Sequence, residues 1–219
     1  MSEYPTSADR GASSLRELEA RFRRECSLLL VPPAKVWLEP KTHPELGAML
    51  DVAIVGAGMA GLAAALALKR VGITNVRIFD KAPAGVEGPW LTYARMEVLR
   101  SPPDLTGPAL GFPSLTFRAW FEAQFGGEAW GRLHRISRTQ WMDYLNWYRR
   151  MVDAAIENDC EMIAIDGGDG YVVLTLKSAA GVRKVAARRV ILANGRDGLG
   201  GAYVPPLFRS LPTSVCAHS

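Results

Sequence analysis

Residues 51–61 read Asp-Val-Ala-Ile-Val-Gly-Ala-Gly-Met-Ala-Gly and run straight into Leu-Ala-Ala-Ala-Leu-Ala-Leu. An apolar run, a G-x-G-x-x-G turn and a helix-forming stretch, in that order, describe the first strand–helix unit of a doubly wound α/β sheet. The order also carries chemistry. The pyrophosphate of a dinucleotide is held by bare backbone N–H groups at a helix N-terminus, where partial positive charge collects. Gly56 permits the tight turn, Gly58 lets the backbone approach the phosphates, and Gly61 lets the helix lie close on the strand. Ala57, Met59 and Ala60 fill the intervening positions of the cradle.

Such a fingerprint is weak evidence alone, because this chain holds 21 glycines in 219 residues. Its surroundings strengthen it. The next apolar run, Val76-Arg77-Ile78-Phe79, ends on Asp80, which lies 80 − 61 = 19 residues past the last glycine. About 20 is the spacing of the carboxylate that accepts ribose hydroxyls. Asp80 suits an unphosphorylated adenosine ribose and would repel a 2′-phosphate, while the adjacent Lys81 is placed to steady a phosphate. FAD and NAD both satisfy these terms.

Composition narrows the class. Hydrophobic residues make up 48% of the chain, enough for a packed core, and the net charge is a modest +4. The paired arginines Arg149-Arg150 and Arg188-Arg189 read as solvated surface. No dense basic run with interleaved aromatics points to nucleic acid. The cysteines, Cys26, Cys160 and Cys216, are odd in number and widely spaced, which implies no disulfide framework and fits a reducing cytoplasm. The three histidines are far apart, so no metal site is expected. No signal peptide and no apolar stretch of about 18 residues, the length a membrane span needs, is present.

Along the chain, Leu15, Leu18, Phe22, Cys26 and Leu29 recur at helical spacing and predict an amphipathic helix over 13–31, ended by Pro32-Pro33. A Pro-containing connector over 34–50 completes an N-terminal extension, residues 1–50, ahead of the main domain at 51–219. Residues 82–113, rich in Pro and Gly, predict a long irregular segment. Trp90, Tyr93, Met96, Leu99 and Leu110 mark it as packed and functional. A helix is expected from Thr116 to Phe125. Another starts at Ser137, where Ser137-Arg138-Thr139-Gln140 has the capping-box form, and its stripe of Trp141, Tyr144, Leu145, Tyr148, Met151 and Val152 predicts a core face. Residues 161–187 alternate like a β meander with turns at Asp166–Gly170 and Ser178–Gly181. A separate closing strand, Arg188 to Gly195, follows.

The layout resembles the FAD domain of two-dinucleotide-binding-domain flavoproteins, and within them the flavin-dependent monooxygenases. Four elements carry the likeness, which covers residues 51–219. They are the fingerprint at 56–61 with Asp80; Glu87-Gly88-Pro89-Trp90, at the place of a Gly-Gly-x-Trp element beside the flavin; the aromatic segment Trp141–Tyr148; and Val190-Ile191-Leu192-Ala193-Asn194-Gly195, similar to a strand ending Ala-Thr-Gly that returns to the FAD. The resemblance implies a Rossmann-like α/β fold with a parallel central sheet, helices on both faces and an added antiparallel β meander. It implies FAD as cofactor, NAD(P)H as co-substrate, and O₂ and a small molecule as substrates of a monooxygenase acting through a C4a-(hydro)peroxyflavin. Gly88, Pro89, Trp90, Ala193, Asn194 and Gly195 join the fingerprint as cofactor contacts, with Trp90 packing near the isoalloxazine and Arg100 facing flavin or substrate.

The family's second glycine fingerprint, for NADPH, does not occur in these 219 residues, so the chain is expected to be the N-terminal part of a longer flavoprotein. His218 is assigned no role. Residues 62–159 lack cysteine, which sets aside a glutathione-reductase-type disulfide chemistry. No G-x-S-x-G elbow supports a serine hydrolase. Two alternatives stay open: an FAD-binding module without catalytic activity of its own, and an ordinary NAD-dependent oxidoreductase.

Overall fold

The first helix, α1 (Ser7–Leu28), buries Leu18 and Phe22 and starts earlier than its apolar periodicity predicts. It also stops sooner. Leu30 takes a left-handed backbone, φ 53°, so Leu29 falls in the turn beyond the helix and is exposed rather than part of the stripe. These coordinates are a computed structural model that describes residues 7–195, 198, 205–212 and 215. The sequence readings at Arg196, Asp197, Leu199, Gly200, Gly201, Cys216 and His218 lie outside the described residues.

The connector holds a small hairpin, β1 (Thr42–His43) with β2 (Gly47–Ala48). Next come β3 (Leu50–Val55), α2 (Met59–Arg70) and β4 (Val76–Phe79), the strand–helix–strand unit that the fingerprint demands. An inserted segment follows, with α3 (Phe117–Phe125) capped by the Thr116 side chain, and the short α4 (Gly127–Gly131). Then come α5 (Arg138–Val152), β5 (Ile156–Glu157), β6 (Glu161–Gly167), β7 (Val172–Ser178) and β8 (Gly181–Leu192). Six strands form one sheet in the order β5-β4-β3-β8-β7-β6. The first four run parallel, and β6, β7 and β8 pair antiparallel.

The meander and the closing strand are continuous, which corrects the predicted break at 187/188. Ala187 of β8 pairs with Val172 of β7 on one side and with Leu50 of β3 on the other. Along its first half β8 is the last meander strand; along its second half it is a parallel strand of the central sheet. Arg188-Arg189 hid this by interrupting the apolar pattern. Arg188 is not solvated surface. Its Nε lies 2.8 Å from Oδ1 of the buried Asp51, at the start of β3, and its guanidinium donates to the Glu39 carbonyl.

Strands buried on both faces alternate between two cores. Val52, Ile54 and Ile78 pack with α2 (Leu62, Ala65, Leu66), α5 and the α1 residues Leu18 and Phe22. On the opposite face Ala53, Val55 and Phe79 are covered by Leu174, Leu176 and Cys160, so that among the described residues the meander takes the place of the helices expected on this face. There Arg183 of β8 lies over the Phe79 ring and its Nη2 reaches Oε1 of Glu157 at 2.5 Å.

The α5 stripe is the core face the sequence predicts. Its capping box is formed: Ser137 accepts from the Gln140 backbone, and Gln140 reaches back to the Ser137 N–H. Trp141, Tyr144, Leu145, Tyr148 and Val152 are buried, and Met151 is partly so. Tyr144 and Tyr148 each donate 2.7 Å hydrogen bonds, to the carbonyls of Leu115 and Pro108, which ties the irregular segment to α5. Burial pushes both phenols well above the ordinary tyrosine range. No helix among the described residues is long and apolar enough to cross a membrane.

Candidate cofactor-binding site

The site is built where β3 ends and α2 begins. Gly56 has φ +104°, a conformation that favours glycine, and a Cβ there would come within 2.4 Å of the Ala193 carbonyl. A Cβ on Gly61 would stand 1.9 Å from the Gly56 carbonyl. Both glycines are therefore demanded by the fold. Gly58 differs. It is the N-cap of α2, its φ is an ordinary −68°, and its added Cβ would meet only the Cα of Gly88, at 3.8 Å. What its missing side chain leaves is a bare helix end. No side chain caps α2 and no acid stands in its first turn, so the leading N–H groups keep their partial positive charge for solvent or a ligand.

Asp80 faces that helix end. Its Oδ2 accepts from the Ala57 N–H at 2.6 Å and its Oδ1 from the Ala82 N–H at 2.7 Å, and the residue is almost wholly buried. Each oxygen keeps a lone pair, so the carboxylate can still accept hydroxyl donors. Lys81, Met59 and Ala60 are exposed at the rim.

The other expected residues arrive from two directions. From β8, the Ala193 N–H donates to Val55 O at 2.8 Å, which brings Ala193-Asn194-Gly195 alongside the turn. The Asn194 side chain turns to the Gly198 carbonyl at 3.0 Å. From the irregular segment, Gly88 stands across from Gly58, and the Tyr93 hydroxyl lies 3.8 Å from where a Cβ on Gly195 would be. Pro89 and Trp90 follow. Trp90 is half-buried, meets Trp141 edge-on at 6.2 Å, and has its carbonyl bound by Arg138 at 2.6 Å. Tyr93 and Met96 are exposed, whereas Leu99 is buried. Arg100 is exposed, its carbonyl accepts from Arg135, and among the described residues no hydrogen bond or ion pair joins its guanidinium to the glycine turn.

A cluster centred on Glu87 lies against the same turn. Glu87 is 2% exposed. Its Oε2 accepts from the Gly85 N–H at 2.8 Å and its Oε1 from Asn158 Nδ2 at 2.7 Å, and Arg149 Nε stands 3.6 Å from Oε1. Arg149 is thus a structural cation rather than solvated surface. Glu87, Arg149 and Asn146 line a small cavity together with Ala57, Gly58 and Met142. The partners come from α5 and from Asn158, just after β5, far off in sequence, and of the three only Glu87 belongs to an element that the sequence puts beside the flavin.

Away from the turn, the Cys160 thiol is raised to about 11 by burial and by the Glu157 charge. Burial alone would raise Glu157, but hydrogen bonds from Arg183 and Cys160 hold it below its ordinary range. Cys160 is a buried, protonated packing group, and Cys26 is also a free thiol.

A parallel sheet whose first strand turns through glycines onto an uncapped helix, facing a buried carboxylate, defines a dinucleotide-binding α/β domain. A profile of FAD-NAD(P)-binding proteins matches residues 53–197, and the chain belongs to that family. It is 42% identical, over 207 residues, to a FAD-dependent urate hydroxylase from Xanthomonas campestris pv. campestris, a match covering 94% of this chain and 43% of that protein. The chain thus spans less than half the length of this curated relative. Among solved structures it resembles an ornithine hydroxylase from Pseudomonas aeruginosa, with TM-score 0.60 and 18% identity over 74% of this chain and 42% of that one. It also resembles a flavin-containing monooxygenase from Stenotrophomonas maltophilia, with TM-score 0.55 and 24% identity over 72% and 41%. At these identities the structural likeness is one of fold.

Proposed function

We propose that this chain binds FAD at the turn between β3 and α2 and is the FAD-binding part of an NAD(P)H- and O₂-using monooxygenase. The observation that carries the reading is the uncapped end of α2, kept open by Gly58 and Gly88 and faced by Asp80. The residues present fit the cofactor. Gly56, whose own N–H donates to the Phe79 carbonyl, makes the turn, and the N–H groups of Gly58, Met59, Ala60 and Gly61 hold the pyrophosphate, assisted at the rim by Lys81. Ala57 orients the Asp80 carboxylate, which takes the adenosine ribose hydroxyls. Gly88, Pro89 and Trp90 on one side, and Ala193, Asn194 and Gly195 on the other, flank the flavin half, with Arg100 at the edge of the site.

FAD supplies the redox and oxygen chemistry when bound. The chain's residues bind it, orient it and exclude water around it. The identity to the urate hydroxylase supports urate as the substrate of the whole enzyme, and the few, widely spaced cysteines support a cytoplasmic setting for it. That this chain covers 43% of the relative supports a second reading for the piece by itself, as an FAD-binding module that does not turn over alone. Steady-state assay of the whole enzyme tests the activity. Urate-dependent NAD(P)H and O₂ consumption in equal amounts is expected. NAD(P)H oxidation that yields only peroxide, whatever the amount of urate, contradicts urate as the substrate.

A further inference from the structure

Asn158 uses every polar atom of its side chain to join two parts of the candidate site. Its Nδ2 donates to the Ala82 carbonyl at 3.0 Å and to Glu87 Oε1 at 2.7 Å, and its Oδ1 accepts from Arg149 Nη2 at 2.7 Å. An amide offers two donor hydrogens and an acceptor oxygen, so each is engaged in a different direction. Ala82 is the residue whose N–H fixes Oδ1 of Asp80. Glu87 precedes Gly88, which faces Gly58. One side chain therefore sets the separation between the carboxylate and the glycine pair, the two features between which the cofactor must fit.

The anchor is stiff. Glu87 is nearly inaccessible, and Arg149 is held between Glu87 and Asn158. The Gly85 carbonyl is held in turn by Asn146 Nδ2 at 3.2 Å. A buried carboxylate with one matched cation and two further donors is satisfied where it stands and strongly disfavoured anywhere else.

We infer that Glu87, Arg149 and Asn158 form a latch of positioning residues that holds residues 82–90 at the spacing FAD binding requires before the cofactor arrives. None of the three needs to touch the cofactor; they act through Asp80 and Gly88. The inference rests on the FAD reading for its purpose, but the latch itself is a set of contacts within the chain. Sites held in their binding geometry in advance lose less entropy on association.

Two measurements on the purified chain test it. The first is amide hydrogen exchange over residues 82–90 without flavin, for wild type, Asn158→Ala and the milder Arg149→Lys. Protection there is expected to fall in both variants, more in Asn158→Ala, while β3 and α2 stay protected. Unchanged protection over 82–90 overturns the latch. The second is FAD affinity by quenching of flavin fluorescence, with urea unfolding on the same preparations. Asn158→Ala is expected to raise the Kd about tenfold or more, as for loss of one charge-assisted bond. Glu87→Gln and Arg149→Met are expected to couple, the double variant losing less affinity than the product of the singles. A shift in the urea midpoint with wild-type Kd and no coupling overturns the positioning role. If the wild-type chain binds no FAD, the functional reading fails alone, and hydrogen exchange still decides the latch.

Discussion

Gly56, Gly58 and Gly61 look equivalent in the fingerprint, and the structure separates them. A Cβ at Gly61 meets backbone at 1.9 Å, so Gly61→Ala is expected to destabilise the domain by about 2 kcal/mol or more, read by urea unfolding. At Gly58 the added Cβ meets nothing closer than 3.8 Å, and the backbone suits any residue. Gly58→Val is therefore expected to keep the unfolding midpoint near wild type and to lose flavin binding, because its side chain fills the approach to the helix end. Retained flavin in folded Gly58→Val would show that the ligand lies elsewhere. These glycines and Asp80 were legible because their partners are local or follow at a fixed spacing. Glu87 was not legible as an anchor, since its meaning comes from Arg149 and Asn158 and no short pattern announces that contact. Arg149 and Arg188 misled for the same reason: a charge next to another charge reads as surface until a buried acid is found beside it.

Among the elements, α5 shows how far local rules reach. Its start, its cap and its buried stripe all follow from spacing within one helix, and Ser137→Ala is expected to lower stability by about 1 kcal/mol in thermal or urea unfolding. β8 shows where local rules stop. Its change of partner at Ala187 is decided by β3, more than a hundred residues earlier, so the alternation that marks the meander breaks inside a continuous strand. The Glu157–Arg183 pair between β5 and β8 gives a pH signature. Glu157 is held below its ordinary value in the folded state. Its contribution is therefore present above the unfolded carboxyl's titration and is lost as pH falls through the folded value. Both side chains are substantially exposed, so the effect is small, at most about 1 kcal/mol. Glu157→Gln is expected to lower the urea midpoint at pH 7, with a deficit that shrinks as the pH is lowered to 3. An equal deficit at both values would mean that Glu157 acts by packing rather than by charge.

For the molecule as a whole, the sheet puts the glycine turn, Asp80 and the end of β8 together at the carboxyl ends of its parallel strands, where open α/β sheets bind their ligands. The architecture was legible in outline from the fingerprint and the order of elements. The covering of the second sheet face by the meander was not, because the curl of β6 and β7 over Phe79 is a tertiary choice. Since the chain covers less than half of its urate hydroxylase relative, it is expected to oxidise NADPH only slowly even when loaded with flavin. Rapid flavin bleaching on adding NADPH would contradict that. The central claim, that this turn holds FAD, is tested most directly by titrating the purified chain with FAD and recording the spectrum of the protein after gel filtration. The account predicts a stoichiometric flavin that co-elutes, with bands near ~370 and ~450 nm as expected of that cofactor. A folded chain that emerges colourless, and instead binds NAD, would contradict it.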